Sequence, residues 1–158
     1  MKKQWMKIGS LLLIIVLATT ILAACATNTE APKPAGEEGV AMPSNPGGPG
    51  EAVNLTGDAA KGAEIFANTC VACHGQEGKV GIPNAGADED VPVLNPIDPT
   101  LKSSDYKTFA TNLDLFLQNG STPKGDSPSF VMAAYGKEGT LTQQQIADVI
   151  AYIISLNK

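Results

Sequence analysis

Hydrophobic positions in this chain form one continuous run near its start and three periodic stretches after residue 57, with two Pro/Gly-rich stretches between them. The continuous run spans Ile8 to Leu22, centred on Leu11-Leu12-Leu13-Ile14-Ile15-Val16-Leu17, and it follows Lys2, Lys3 and Lys7. Its length of about fifteen residues falls short of the roughly 20 that a bilayer-spanning helix needs, so residues 1–24 are predicted to be an export signal. Hydrophobic periodicity then disappears. Pro32, Pro34, Pro43, Pro46 and Pro49 interleave with glycines and glutamates up to about Asn54. Such a composition buries too little apolar surface to offset the entropy of ordering, and residues 25–54 are expected to be a disordered tether.

From residue 55 onward the pattern is that of a folded, all-α domain, 55–158. A first helix is predicted over about Asp58 to Cys70, with Asp58 as N-cap and Ile65, Phe66 and Thr69 on one face. Gly62 inside it costs about 1 kcal/mol relative to alanine, which points to close approach of another backbone. A middle helix is predicted from about Asp105 to Gln118. Ser103 or Ser104 serves as its cap, Tyr106, Phe109, Leu113, Phe116 and Leu117 form its stripe, and Gly120 stops it. The last helix opens with a capping box of Thr142 and Gln145 and a staple of Leu141 and Ile146, and it carries Ile146, Val149, Ile150 and Ile153 on one stripe. Between the first two helices, Gly75 to Thr100 holds too many prolines and glycines for regular structure, yet includes Val91, Val93, Leu94 and Ile97. A loop of that length in a small domain is expected to cover something.

The chemistry-bearing stretch is Cys70-Val71-Ala72-Cys73-His74. This spacing suits covalent haem attachment: two thiols form thioethers to the haem edge while the adjacent imidazole turns to the iron. A bare C-x-x-C is also half a zinc site or a redox disulfide. Zinc needs a second ligand pair, but His74 is the only histidine, and the third cysteine, Cys25, sits at the end of the export signal. A redox dithiol of the thioredoxin kind needs a βαβ setting, which helices and loops do not provide. With one histidine, two-histidine ligation within the chain is excluded. Met132, in the loop Ser127 to Gly136, is the one methionine after the motif, and it is the candidate second axial ligand. The bland alternative is a methionine filling a core gap. Met42 is set aside because it falls in the tether.

Composition and charge add two points. Aromatics are only 5% of the chain, and a flat apolar haem would supply the surface that a small core lacks. Every basic residue is lysine, and the 11 lysines stand against 16 acids. Residues 1–24 hold three of those lysines and no acid, so the mature protein would be near −8 before haem propionates are counted. Such a protein has no electrostatic case for nucleic acid or anionic lipid, and favours a partner with a basic docking patch.

Three resemblances follow from these residues. Gly62-x-x-x-Phe66-x-x-x-Cys70-x-x-Cys73-His74, with Val149-Ile150-Ala151-Tyr152 downstream, resembles class I c-type cytochromes. The resemblance covers about Thr56 to Lys158. It implies a small cytochrome c fold, three main helices around one covalent haem c, with Gly62 and Phe66 packed on Val149 and Tyr152 where the first and last helices cross near right angles. It also implies that a loop proline offers its carbonyl to the ligating histidine. Pro92 is the candidate because Pro92-Val93-Leu94 resembles the family's Pro-x-Leu segment, with Pro96 second. The family's ligand segment is Met-Pro-x-aromatic-Gly, and here Ala133 stands where that proline would be. Leu22-Ala23-Ala24-Cys25 resembles the bacterial lipobox, which implies a lipid on Cys25 and a location at the outer face of the bacterial cytoplasmic membrane. Residues 91–99 together with Met132-Ala133-Ala134-Tyr135-Gly136 resemble the mono-haem lipoprotein subunit of alternative complex III.

These implications describe an electron-transfer protein, not an enzyme. The expectation is a membrane-tethered one-electron carrier with Cys70 and Cys73 as thioether anchors and His74 and Met132 as axial ligands, whose partners are redox proteins in membrane complexes, with no small-molecule substrate. The alternative is a fixed haem subunit of a membrane oxidoreductase, such as alternative complex III or a terminal oxidase. A gas sensor or peroxidase would need an open iron site.

Overall fold

A computed structural model describes residues 39–158 of the chain. The export segment, Cys25 and the first part of the expected tether lie outside the described residues. Among the described residues there is no β-strand, and four α-helices occur: α1 (Ala59–Thr69), α2 (Val71–His74), α3 (Tyr106–Asn119) and α4 (Gln143–Leu156). No helix among them is long and apolar enough to cross a membrane.

Local chemistry accounts for the helix ends. Asp58 caps α1 by accepting from the N–H groups of Ala60 and Lys61. Thr142 and Gln145 form the reciprocal capping box of α4, and the flanking Leu141 and Ile146 are both buried. At α3 the cap differs from the sequence expectation. Asp105, not Ser103 or Ser104, accepts from Thr108 N–H at 2.8 Å, because a carboxylate three residues before a free amide reaches it as a charged acceptor.

Helices α1 and α3 both pack on α4, whose Ile146, Val149, Ile150 and Ile153 are almost fully buried. Gly62 of α1 lies against the α4 backbone at Asp148. A Cβ there would collide with the Asp148 carbonyl and come within 2.9 Å of Tyr152 Cβ. One helical turn on, the Phe66 and Tyr152 rings meet edge-on with centroids 5.3 Å apart. Asp148, itself buried, accepts from Asp58 N–H at 2.8 Å and ties the start of α1 to α4.

The expected tether requires correction. Residues 39–54 lie on the folded unit, although Pro43, Pro46 and Pro49 abolish any hydrophobic period. A 3₁₀ turn at Glu51–Asn54 buries Ala52. Gly50 N–H donates to Asp114 Oδ2 at 2.6 Å, Ala52 N–H to Gln143 Oε1 at 2.9 Å, and Asn45 Nδ2 to the Asn119 carbonyl at 2.9 Å. The segment is therefore a strap held by polar bonds to α3 and α4, and periodicity reports only apolar contacts. Its glycines are required by proximity: a Cβ at Gly47 would strike the Asn119 side chain, and one at Gly50 the Gln118 amide. Met42 lies on this strap with half its surface exposed, beside an Ala41 whose N–H donates to Thr100 Oγ1.

Candidate functional site

Helix α2 is one turn long and carries the motif. It continues from α1 through Cys70, whose N–H still bonds the Phe66 carbonyl at 2.8 Å. Gly75 ends it at φ +67°, a left-handed conformation that favours glycine, and turns the chain into the long loop. Cys70 is buried and Cys73 half-buried, and both are free thiols. Burial, with a smaller contribution from Cys73, pushes the Cys70 thiol up to about 11.

His74 is half-buried, and its Nδ1 lies 2.9 Å from the Pro92 carbonyl oxygen. With Nδ1–H donating to that carbonyl, Nε2 is left as the lone-pair nitrogen, so one ring orientation and one tautomer are selected. Burial lowers the His74 pKa, and the Pro92 bond opposes that shift. The neutral imidazole, which is the metal-ligating form, is favoured on balance. The loop supporting Pro92 is laced without regular structure: Leu94 and Asn95 both donate to the Gly78 carbonyl at 2.8 and 3.0 Å, and Val91 donates to Ile82 at 3.0 Å. Asn157, just past α4, donates to the Leu94 carbonyl and accepts from Ile97 N–H. The loop's apolar residues divide between core and surface: Ile97 is buried, whereas Val93 is exposed.

Met132 packs against the core from the other loop. It pairs with Ser121 by two backbone bonds, Ser121 N–H to Met132 O at 3.0 Å and Met132 N–H to Ser121 O at 2.8 Å. Gly120 follows α3 at φ +65°, and a Cβ there would strike the Met132 carbonyl. Tyr135, three residues on, also packs against the core, and burial raises its hydroxyl pKa.

The residues around the motif fit a covalently held haem. Large apolar side chains on both flanking loops stay exposed: Val80 at 59%, Phe130 at 44% and Val131 at 60%. An apolar disc set between these loops would cover such surface; the paired thiols are the groups that would form its thioethers, and Nε2 is the nitrogen that would ligate its iron. Pocket geometry points elsewhere. A depression of about 350 Å³ lined by Leu55, Tyr106, Ile154 and Lys158 contains none of the motif residues, and it offers neither thiol nor imidazole. Tyr106, expected on the α3 stripe, is half-exposed at the rim of that depression.

Sequence reasoning passed over several polar residues that bond the loops and the strap to the rest of the fold. Asn84, Asp114, Gln118, Asn119 and Asn157 are all buried, and none belongs to a motif or an apolar stripe. The one available signal for Asp114 and Gln118 is their i, i+4 spacing on a helix whose other buried positions, Asn119 apart, are apolar.

A small helical unit built around C-x-x-C-H, with a carbonyl-oriented histidine, defines the class of haem-bearing electron carriers. Comparison agrees. The family model described as cytochrome c matches residues 59–157, and the chain belongs to that family, which implies covalent haem c. Two curated relatives carry the name Cbb3-type cytochrome c oxidase subunit CcoP. That from Azospirillum sp. (strain B510) is 34% identical over 104 residues, covering 62% of this chain and 30% of the relative. That from Azospirillum brasilense is 33% identical over 105 residues, covering 63% and 31%. The chain thus matches less than a third of the length of these relatives. No solved structure matches it.

Proposed function

We propose that this chain is a membrane-tethered one-electron carrier with a single haem c, held by thioethers at Cys70 and Cys73 and ligated axially by His74 and Met132. The carrying observation is the 2.9 Å contact from His74 Nδ1 to the Pro92 carbonyl, which aims the other ring nitrogen and raises its basicity as a ligand. The bound haem supplies the iron that cycles between Fe(II) and Fe(III). The chain's own residues do the rest. His74 stays neutral and oriented, Met132 offers a thioether that favours the ferrous state and raises the potential, and the two loops exclude water from the haem faces. With His74 and Met132 both holding the iron, no position there would be left for a substrate. A lipid on Cys25 and the residues between it and the strap would hold the domain at the outer face of the bacterial cytoplasmic membrane.

Replacing Met132 with alanine in the haem-loaded protein is expected to lower the midpoint potential and admit carbon monoxide to the ferrous iron. Met42→Ala is expected to change neither. An unchanged optical spectrum in Met132→Ala would remove the axial assignment.

A second reading is favoured by the relatives' names, in which the matching stretch belongs to an oxidase subunit. Here the domain is a fixed haem subunit of a membrane oxidoreductase, either a terminal oxidase or alternative complex III. Mild detergent extraction discriminates the two: co-purification with integral membrane subunits favours the fixed subunit, and a free monomer favours the carrier.

A further inference from the structure

The segment after Met132 lacks a proline at Ala133, so the stiffness of its loop must come from elsewhere. Resting on the reading of Met132 as a ligand, we infer that Asn84 is the positioning residue that locks the Met132 loop to the His74 side of the site.

Asn84 is only 4% exposed, and every polar group it has is used. Its Nδ2 donates to the Phe130 carbonyl at 2.9 Å, and its Oδ1 accepts from the Phe130 N–H at 2.9 Å. Its own N–H donates to Asp90 Oδ1 at 3.2 Å, and its carbonyl accepts from Ala87 N–H at 3.0 Å. A buried amide whose oxygen and nitrogen are both engaged has one orientation, and here it grips both the N–H and the carbonyl of Phe130, two positions before Met132.

Backbone bonds reinforce the grip. Ser129 N–H donates to Ala85 O at 2.9 Å, Ser127 N–H to Gly86 O at 3.2 Å, and Asp88 N–H to Lys124 O at 2.8 Å. Gly86 sits at φ +79°, and a Cβ on it would strike the Ser127 carbonyl. On the other side of Asn84, Val91 pairs with Ile82, and the next residue, Pro92, holds His74. Phe130 and Val131 are exposed, so the protein's own side chains give this stretch little apolar packing. The Ser121 pair fixes Met132 itself, and Asn84 fixes the approach to it. One side chain thus ties the loop that carries Pro92 to the loop that carries Met132.

A thioether is a weak ligand that holds only while its loop is held. Release of the grip is expected to let Met132 leave the iron part of the time. The test uses the haem-loaded full chain and reads carbon monoxide binding to the ferrous protein, midpoint potential and thermal midpoint together. Asn84→Ala is expected to raise the carbon monoxide-reactive fraction about tenfold, the equivalent of one net hydrogen bond at about 1.4 kcal/mol. The potential should fall part of the way toward that of Met132→Ala. Asn157→Ala, which frees the same long loop from α4 without touching Phe130, is expected to lower the thermal midpoint while leaving carbon monoxide binding unchanged. If Asn84→Ala only loses thermal stability, as Asn157→Ala does, the positioning role is overturned. If Met132→Ala itself leaves ligand binding and potential unchanged, the axial reading fails and the inference with it. Should Asn84→Ala not accumulate, Asn84→Asp, which keeps the bond from the Phe130 N–H, is read by the same outcomes.

Discussion

At Gly62 a missing side chain lets α1 lie directly on the backbone of α4, with the Asp148 carbonyl where a Cβ would go. Both neighbours are poor at yielding, since one is helix backbone and the other, Tyr152, is packed edge-on against Phe66. Gly62→Ala gains about 1 kcal/mol in helix propensity, but overpacking costs typically 1–3 kcal/mol and more where the obstacle is backbone. The net expectation is a loss of stability, measured as a lower urea midpoint with the haem retained. A variant as stable as the parent would mean that the two helices can part without cost. The helical pattern marked Gly62 as out of place, and the family pattern supplied its partner helix. The contacting atom is the Asp148 carbonyl rather than the Val149 side chain, a distinction that only coordinates make. Asn84 is the opposite case: nothing in its neighbourhood of Gly, Pro and Asp residues distinguishes a buried clamp from a solvated loop amide.

Among the elements, the strap of residues 39–54 changes the picture most. Its anchor on α3 is Asp114, which is fully buried and accepts from Gly50 N–H and from Gln118 Nε2. Burial raises the Asp114 pKa, and the two hydrogen bonds hold it down in part. An acid whose pKa is higher folded than unfolded binds more protons in the native state. Stability therefore falls as pH rises from the unfolded carboxylate value, about 3.9, through the folded value. Asp114→Asn removes that dependence. It also adds a pH-independent cost of about 1–3 kcal/mol, because its amide must point a donor at one of two existing donors. Urea midpoints taken from pH 4 to 7 should show the parent losing ground relative to the variant as pH rises, and parallel curves would sink the argument. The strap escaped the sequence because prolines and glycines read as tether, and its attachment is made of main-chain donors and side-chain amides rather than a hydrophobic stripe. The three longer helices were legible because caps and apolar stripes are local, whereas a strap's partners lie far along the chain.

At the scale of the whole molecule, charge is the property most directly legible. The formal net charge is −5 for the full chain and more negative without residues 1–24. Exposed like charges act over a Debye length of about 10 Å at 0.1 M salt. Electron exchange with a small cationic redox complex is thus expected to slow as salt is added, and exchange with an anionic complex to quicken. Rate constants that do not change with ionic strength would remove electrostatic steering from the account. The same surface sets the preference for a partner with a basic patch in either functional reading.

The sequence by itself determined the haem-binding motif, the helices that flank it, the one methionine that can follow it, and the sign of the surface. All of these are carried by residue type and short spacing. Tertiary structure decided which carbonyl meets His74, which atom fills the notch at Gly62, that residues 39–54 lie on the folded unit, and how two irregular loops are locked together. These rest on hydrogen bonds between residues dozens of positions apart, such as Asn84 with Phe130 and Gly50 with Asp114. A polar side chain carries no periodic mark of its partner, so folding alone brings the two into register.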